Sequence, residues 1–158
     1  MKTIHDWFNE YGESHQNKTN KIIHWICIPL IFWSIIALLS LVPQEFIFFG
    51  NEYNFLHWGT IVIILGLIFY LRLSYKIFLG MFLFSLYVLL DIYFWKTVLG
   101  KDILLYLAIF IFIISWILQF IGHKIEGKKP SFIKDIQFLL IGPAWLLGYI
   151  YKKIGIKF

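Results

Sequence analysis

ILLYLAIFIFIISWILQFIG, residues 103–122, carries no charged side chain over a length that, at the α-helical rise, reaches about 30 Å. Three further runs, Ile22–Val42, Phe55–Leu71 and Ile77–Trp95, are of similar length and character. Backbone groups in lipid need internal partners, so each run is expected to be a membrane-crossing helix. Pro43 ends the first run, and Gly100 lies in the connection after the third.

The composition agrees with that reading. The chain is 60% hydrophobic and 21% aromatic, with mean hydropathy +0.78, whereas a soluble domain is nearer 45–50% apolar. The runs take up about half of the 158 residues and are spread along the chain, leaving no room for a separate soluble catalytic domain. Residues 1–158 are expected to form a single membrane domain. A lone cysteine, Cys27, excludes an intrachain disulfide. Residues 1–21 are polar and of mixed charge, unlike a cleavable signal. The net charge of +5 is read through its placement and not as a nucleic-acid footprint.

Four crossings put twelve of the fourteen Lys and Arg residues on one side, leaving Lys96 and Lys101 on the other. The positive-inside rule then places both termini in the cytoplasm. That membrane is the inner membrane if the source is bacterial and the endoplasmic reticulum if it is eukaryotic. Two segments read as amphipathic. Ile4, Trp7, Phe8 and Tyr11 follow a helical stripe, with Thr3 and Asp6 as a capping box and Gly12 as a stop, predicting a surface helix. Ser131–Tyr151 has a short apolar stretch interrupted by Gly142-Pro143, predicting a re-entrant or interfacial hairpin. The expected fold is therefore all-α: four transmembrane helices, an N-terminal surface helix and a C-terminal hairpin.

Two polar motifs stand at helix ends. In SHQNKTNKIIH, residues 14–24, Asn17 or Asn20 caps the first long helix. Asn17, Asn20 and His24 share one face within about 60°, with His15 just above it. In QFIGHKIEGKKP, residues 119–130, Gln119, His123 and Glu126 share a face, Gly122 permits close helix approach, and Gly127 and Pro130 end the helix. The topology brings both motifs to one side. Imidazole and carboxylate together suit zinc and iron, and two His with one carboxylate is the set of non-haem Fe(II) oxygenases. A histidine taken singly is more often a hydrogen-bonded boundary group than a ligand. The shared side and phasing favour a ligand set for His15, His24 and His123, with Glu126 beside them. His5 reads as solvated, His57 as lying on the opposite side, and Asp91 as a partner of His57 or Lys96.

At these residues the chain resembles the fungal-type 2-hydroxy fatty acid dioxygenase family of phytosphingosine breakdown to odd-chain acids. The resemblance rests on Phe8-x-x-Tyr11, SHQNKTNKIIH, Pro29 and QFIGHKIEGKKP. It implies an Fe(II) enzyme of α-oxidation that uses O₂ to shorten a long-chain 2-hydroxy fatty acid by one carbon, in contact with membrane lipid. It also implies His15, His24 and His123 as iron ligands, with Glu126 a further candidate. Gln119, Asn17 and Asn20 would orient the imidazoles, and Lys128 or Lys129 would attract the substrate carboxylate. The competing readings are a membrane-embedded zinc hydrolase with Glu126 as base, a non-enzymatic lipid-binding protein, and a haem protein. The sequence does not define an oligomeric state.

Overall fold

The computed structural model describes residues 2–43, 55–127 and 132–158, with residues 132–137 described by their backbone alone. The order is α1 (Ile4–Gly12), α2 (Lys18–Leu41), α3 (Trp58–Leu73), α4 (Tyr75–Glu126) and α5 (Phe132–Lys153).

The local rules set the ends. Thr3 and Asp6 form the reciprocal capping box of α1, and the Asn17 side chain accepts from the amides of Thr19 and Asn20 at the start of α2. Ser74 separates α3 from α4 with extended backbone, and its hydroxyl caps α4. Gly127, at φ 74°, closes α4 in the left-handed conformation.

Within the 52-residue α4, Gly100 departs from helical geometry at φ 78°, ψ 169°. A straight helix of that length would reach about 78 Å. Instead both ends of α4 meet the same part of α2. Ile77 and Met81 pack in one cluster with Ile28, while Gly122 lies against Asn20 and His24. Val88 and Ile92 before Gly100 share a second cluster with Leu104 and Ala108 after it, around Ile36 and Ala37. The chain therefore doubles back at Gly100, and this reversal carries His123 to the first turns of α2.

The expected fold needs correction. The third and fourth apolar runs are the two arms of α4, joined at the non-helical Gly100 as the sequence suggests but with almost no loop between them, and the second is a 16-residue helix. Gly142 and Pro143 do not interrupt α5, which is one helix and not a hairpin. Both residues are buried, and a Cβ on Gly142 would press on Ile28 and the Tyr11 hydroxyl at 3.2–3.3 Å. Gly142 thus marks where α5 crosses α1 and α2 closely, which is its reason for being there. Nor is α1 a surface helix. Its stripe of Ile4, Phe8 and Tyr11 is buried in a core shared with Ile141, Ala144 and Leu146 of α5, because an apolar face finds a protein partner in this bundle.

Among the described residues, α2 and α4 have the length and apolarity of a membrane span. Two such helices do not by themselves make a multi-pass membrane protein. The assignment to a multi-pass membrane protein with both termini cytoplasmic is therefore withdrawn. The cation count behind it assumed four separate crossings, and the described residues form helices with extensive buried packing between them.

Candidate metal centre

His15 lies in the connection between α1 and α2, His24 on the second turn of α2, and His123 on the last turn of α4. One ring nitrogen from each lies within 4.8 Å of the others. Ring centroids are 4.3 Å apart for His15–His24, 4.9 Å for His24–His123 and 5.5 Å for His15–His123. His15 and His24 are buried and His123 is half-buried.

Two of the imidazoles have a determined tautomer. His15 Nδ1 donates to the Tyr11 carbonyl at 2.6 Å, and His24 Nδ1 donates to the Asn20 carbonyl at 2.9 Å. A carbonyl only accepts, so in each ring Nδ1 holds the proton and Nε2 holds the lone pair. The buried Nε2 of His15 has no hydrogen-bond partner within the protein. A buried acceptor without a partner is costly, and a metal ion among three converging imidazoles would satisfy it. Burial, opposed by the Tyr11 hydrogen bond, pushes His15 down to about 4. Its ring is therefore neutral and ready to ligate at physiological pH. The residues fit a metal ion.

Aromatic rings hold His15 in place. Tyr11 stacks on it with centroids 4.1 Å apart and planes 13° from parallel, and Trp145 of α5 approaches at 5.8 Å. The spacing of four between Tyr11 and His15 was the available signal for the first, and the second depends on how α5 folds back.

Glu126 does not join the imidazoles as a ligand. Its Oε1 accepts from the Gln16 amide at 2.8 Å, and its Oε2 accepts from the Asn17 amide and from Asn20 Nδ2, each at 2.9 Å. Burial works to raise its carboxyl, but the hydrogen bonds from Asn17, Gln16 and Asn20 outweigh that and hold it below the ordinary carboxylate range. A carboxylate committed to three donors at a helix N-terminus is a poor general base, which weakens the zinc-hydrolase alternative.

The amide residues are placed differently from one another. Asn20 is fully buried, bridging the Ser14 carbonyl and Glu126 through Nδ2. Asn17 caps α2, its side chain accepting from the backbone amides of Thr19 and Asn20. Gln119 is buried on α4 one turn before His123. His5 stacks on Phe158, and His57 precedes α3, away from the triad, with no side-chain capping bond. Asp91 accepts from Trp33 Nε1 at 2.7 Å, and not from His57 or Lys96 as expected. Lys128 and Lys129 lie outside the described residues.

The family model described as "Mpo1-like: 2-hydroxy-palmitic acid dioxygenase Mpo1-like" matches residues 1–154. The chain belongs to this family. No curated protein and no solved structure matches it. The dioxygenase family and a histidine triad able to coordinate a metal together support an enzymatic, iron-associated activity and a fatty-acid-related substrate in general terms.

Proposed function

We propose that this Mpo1-like chain is an Fe(II)-dependent dioxygenase that shortens a long-chain 2-hydroxy fatty acid by one carbon. The observation that carries this reading is the convergence of three imidazoles within 4.8 Å, with the buried Nε2 of His15 lacking a protein partner. It is joined to the family match over residues 1–154.

The overall chemistry balances without an added reductant. R–CH(OH)–COOH and O₂ give R–COOH, CO₂ and water: the C1–C2 bond breaks, and the four electrons lost by the two carbons reduce O₂. Iron, when bound, supplies the site where the hydroxy acid and O₂ meet and through which those electrons pass. His15, His24 and His123 would hold it, leaving positions open for the substrate. The Tyr11 and Asn20 carbonyls keep the Nδ1 protons of His15 and His24 in place, so both rings present Nε2. Burial of His15 and His24 excludes water from one side of the centre. Glu126, Asn17 and Asn20 act on the polypeptide that carries the ligands, and Gln119 lies beside His123 on the same helix face.

The test combines metal content and turnover. Purified protein reconstituted anaerobically should bind about one Fe(II) per chain through nitrogen-rich ligation. With O₂ it should convert a C1-labelled 2-hydroxy fatty acid to labelled CO₂ and the acid one carbon shorter. His15→Ala, His24→Ala and His123→Ala should each lose metal and turnover, while His5→Ala and His57→Ala keep both. Full turnover in His123→Ala would overturn the proposal.

A further inference from the structure

The histidine triad is assembled from two distant parts of the chain. His15 and His24 belong to the N-terminal motif, and His123 comes some hundred residues later. What binds these parts beside the metal site is a carboxylate. Glu126, three residues after His123, accepts from the backbone amides of Gln16 and Asn17, which follow His15, and from Asn20 Nδ2, four residues before His24. Asn20 Nδ2 also donates to the Ser14 carbonyl at 3.1 Å, on the other side of His15. Glu126 and Asn20 thus grip the chain immediately before and after His15. The helix face carrying His123 carries the grip as well.

We infer that Glu126 is a positioning residue. It latches the His15 turn and the start of α2 onto the end of α4, so that the three imidazoles stay within ligating distance before any metal arrives. This rests on the proposal that the triad binds iron, and it assigns Glu126 no bond to the metal. The arrangement suits a carboxylate specifically. Three donors converge on it, and a carboxylate only accepts. A glutamine there would turn an NH₂ group toward donors. The α2 N-terminus favours the negative charge as well.

The latch has an energetic profile unlike that of a core contact. Gln16 and Asn17 are exposed, so water can take over their amides when the carboxylate is removed. Asn20 keeps its bond to Ser14. Removing Glu126 should therefore leave the bundle folded while releasing the His15 turn. The loss falls on preorganisation of the site, which a metal must then supply from its own binding free energy.

The experiment uses full-length protein and Co(II) as a spectroscopic stand-in for Fe(II). Glu126→Ala and Glu126→Gln should each bind Co(II) about 10–100-fold more weakly than wild type. At saturation both should show the wild-type Co(II) absorption bands, because the ligands are unchanged. Spin labels at the exposed positions Lys18→Cys and Lys124→Cys should give a narrow distance distribution in the metal-free parent. In metal-free Glu126→Ala that distribution should broaden, and it should narrow again when Co(II) is added. Unchanged Co(II) affinity in Glu126→Ala overturns the latch, as does a narrow metal-free distribution. Altered bands at saturation overturn it in favour of direct ligation. Failure of wild type itself to bind Co(II) or Fe(II) would instead sink the metal reading beneath it.

Discussion

The imidazole of His15 lies flat on the ring of Tyr11, 4.1 Å between centroids, while its Nδ1 donates to the carbonyl of the same tyrosine. One residue therefore fixes both the plane of the ring and its tautomer. The carbonyl survives any substitution, whereas the stack needs an aromatic ring at position 11. Such aromatic pairs contribute about 0.5–1.5 kcal/mol beyond area burial. Tyr11→Phe should keep metal affinity within about twofold of wild type, whereas Tyr11→Leu should lower it about 3–10-fold. Titration of both variants with Co(II) measures this. Equal affinities would show that the stack has no part in presenting His15.

Gly122 should tolerate no side chain. A Cβ there would lie 2.4 Å from Asn20 Oδ1 and 3.5 Å from His24 Cε1. Asn20 is fully buried and tied to both Ser14 and Glu126, so it has little freedom to retreat. Gly122→Ala should destabilise the protein by about 1–3 kcal/mol through overpacking. Metal affinity should fall with it, since the end of α4 must move outward. Thermal melting with and without metal checks both effects, and a wild-type melting point would refute the first.

Gly100 offers a test of the fold itself. Its φ of 78° with ψ of 169° lies in a region open in practice only to glycine, and no atom stands within 4 Å of a Cβ placed there. The cost of Gly100→Ala is therefore backbone strain alone, about 1–3 kcal/mol. Gly127→Ala, also at positive φ and in open space, should cost less, because the left-handed α region is less forbidding to a side chain. Chemical denaturation of the two variants side by side gives the ranking.

The pH dependence of the metal-free protein has a contribution from His15, beside those of His24 and His57, which burial pushes down to about 3 and about 4. Burial depresses the pKa of His15 to about 4 from an ordinary 6.5. The unfolded chain takes up a proton as pH falls through about 6.5, while the folded chain refuses it until about pH 4. The stabilisation from this group is therefore fully present above pH 6.5 and is lost progressively down to pH 4. Below that, His15 contributes no further loss. The slope in that window approaches about 1.4 kcal/mol per pH unit from this one group. His15→Asn should remove one group's share of the slope between pH 6.5 and 4 in metal-free unfolding experiments, leaving that of His24 and His57. An unchanged slope would contradict the depressed pKa.

The sequence by itself determined the helical character of the chain and several of its ends. The Thr3–Asp6 box and the Asn17 cap are local, made by residues two or three apart, and they form wherever the segment goes. It also singled out the histidines that the fold brings together, because polar groups at the ends of apolar runs are conspicuous in a chain that is 60% hydrophobic. What it did not determine was the architecture around them. Apolarity and length are the same whether a helix is buried by protein or by lipid, so four runs read as four spans where the described residues form helices packed on one another. Gly142-Pro143 read as a break because its close approach to Tyr11 and Ile28 depends on helices distant in sequence. The part of Glu126 was hidden for the same reason. Spacing placed it on the face of His123, but only the reversal at Gly100 brought it to the backbone amides of Gln16 and Asn17, and a backbone amide leaves no mark in the sequence.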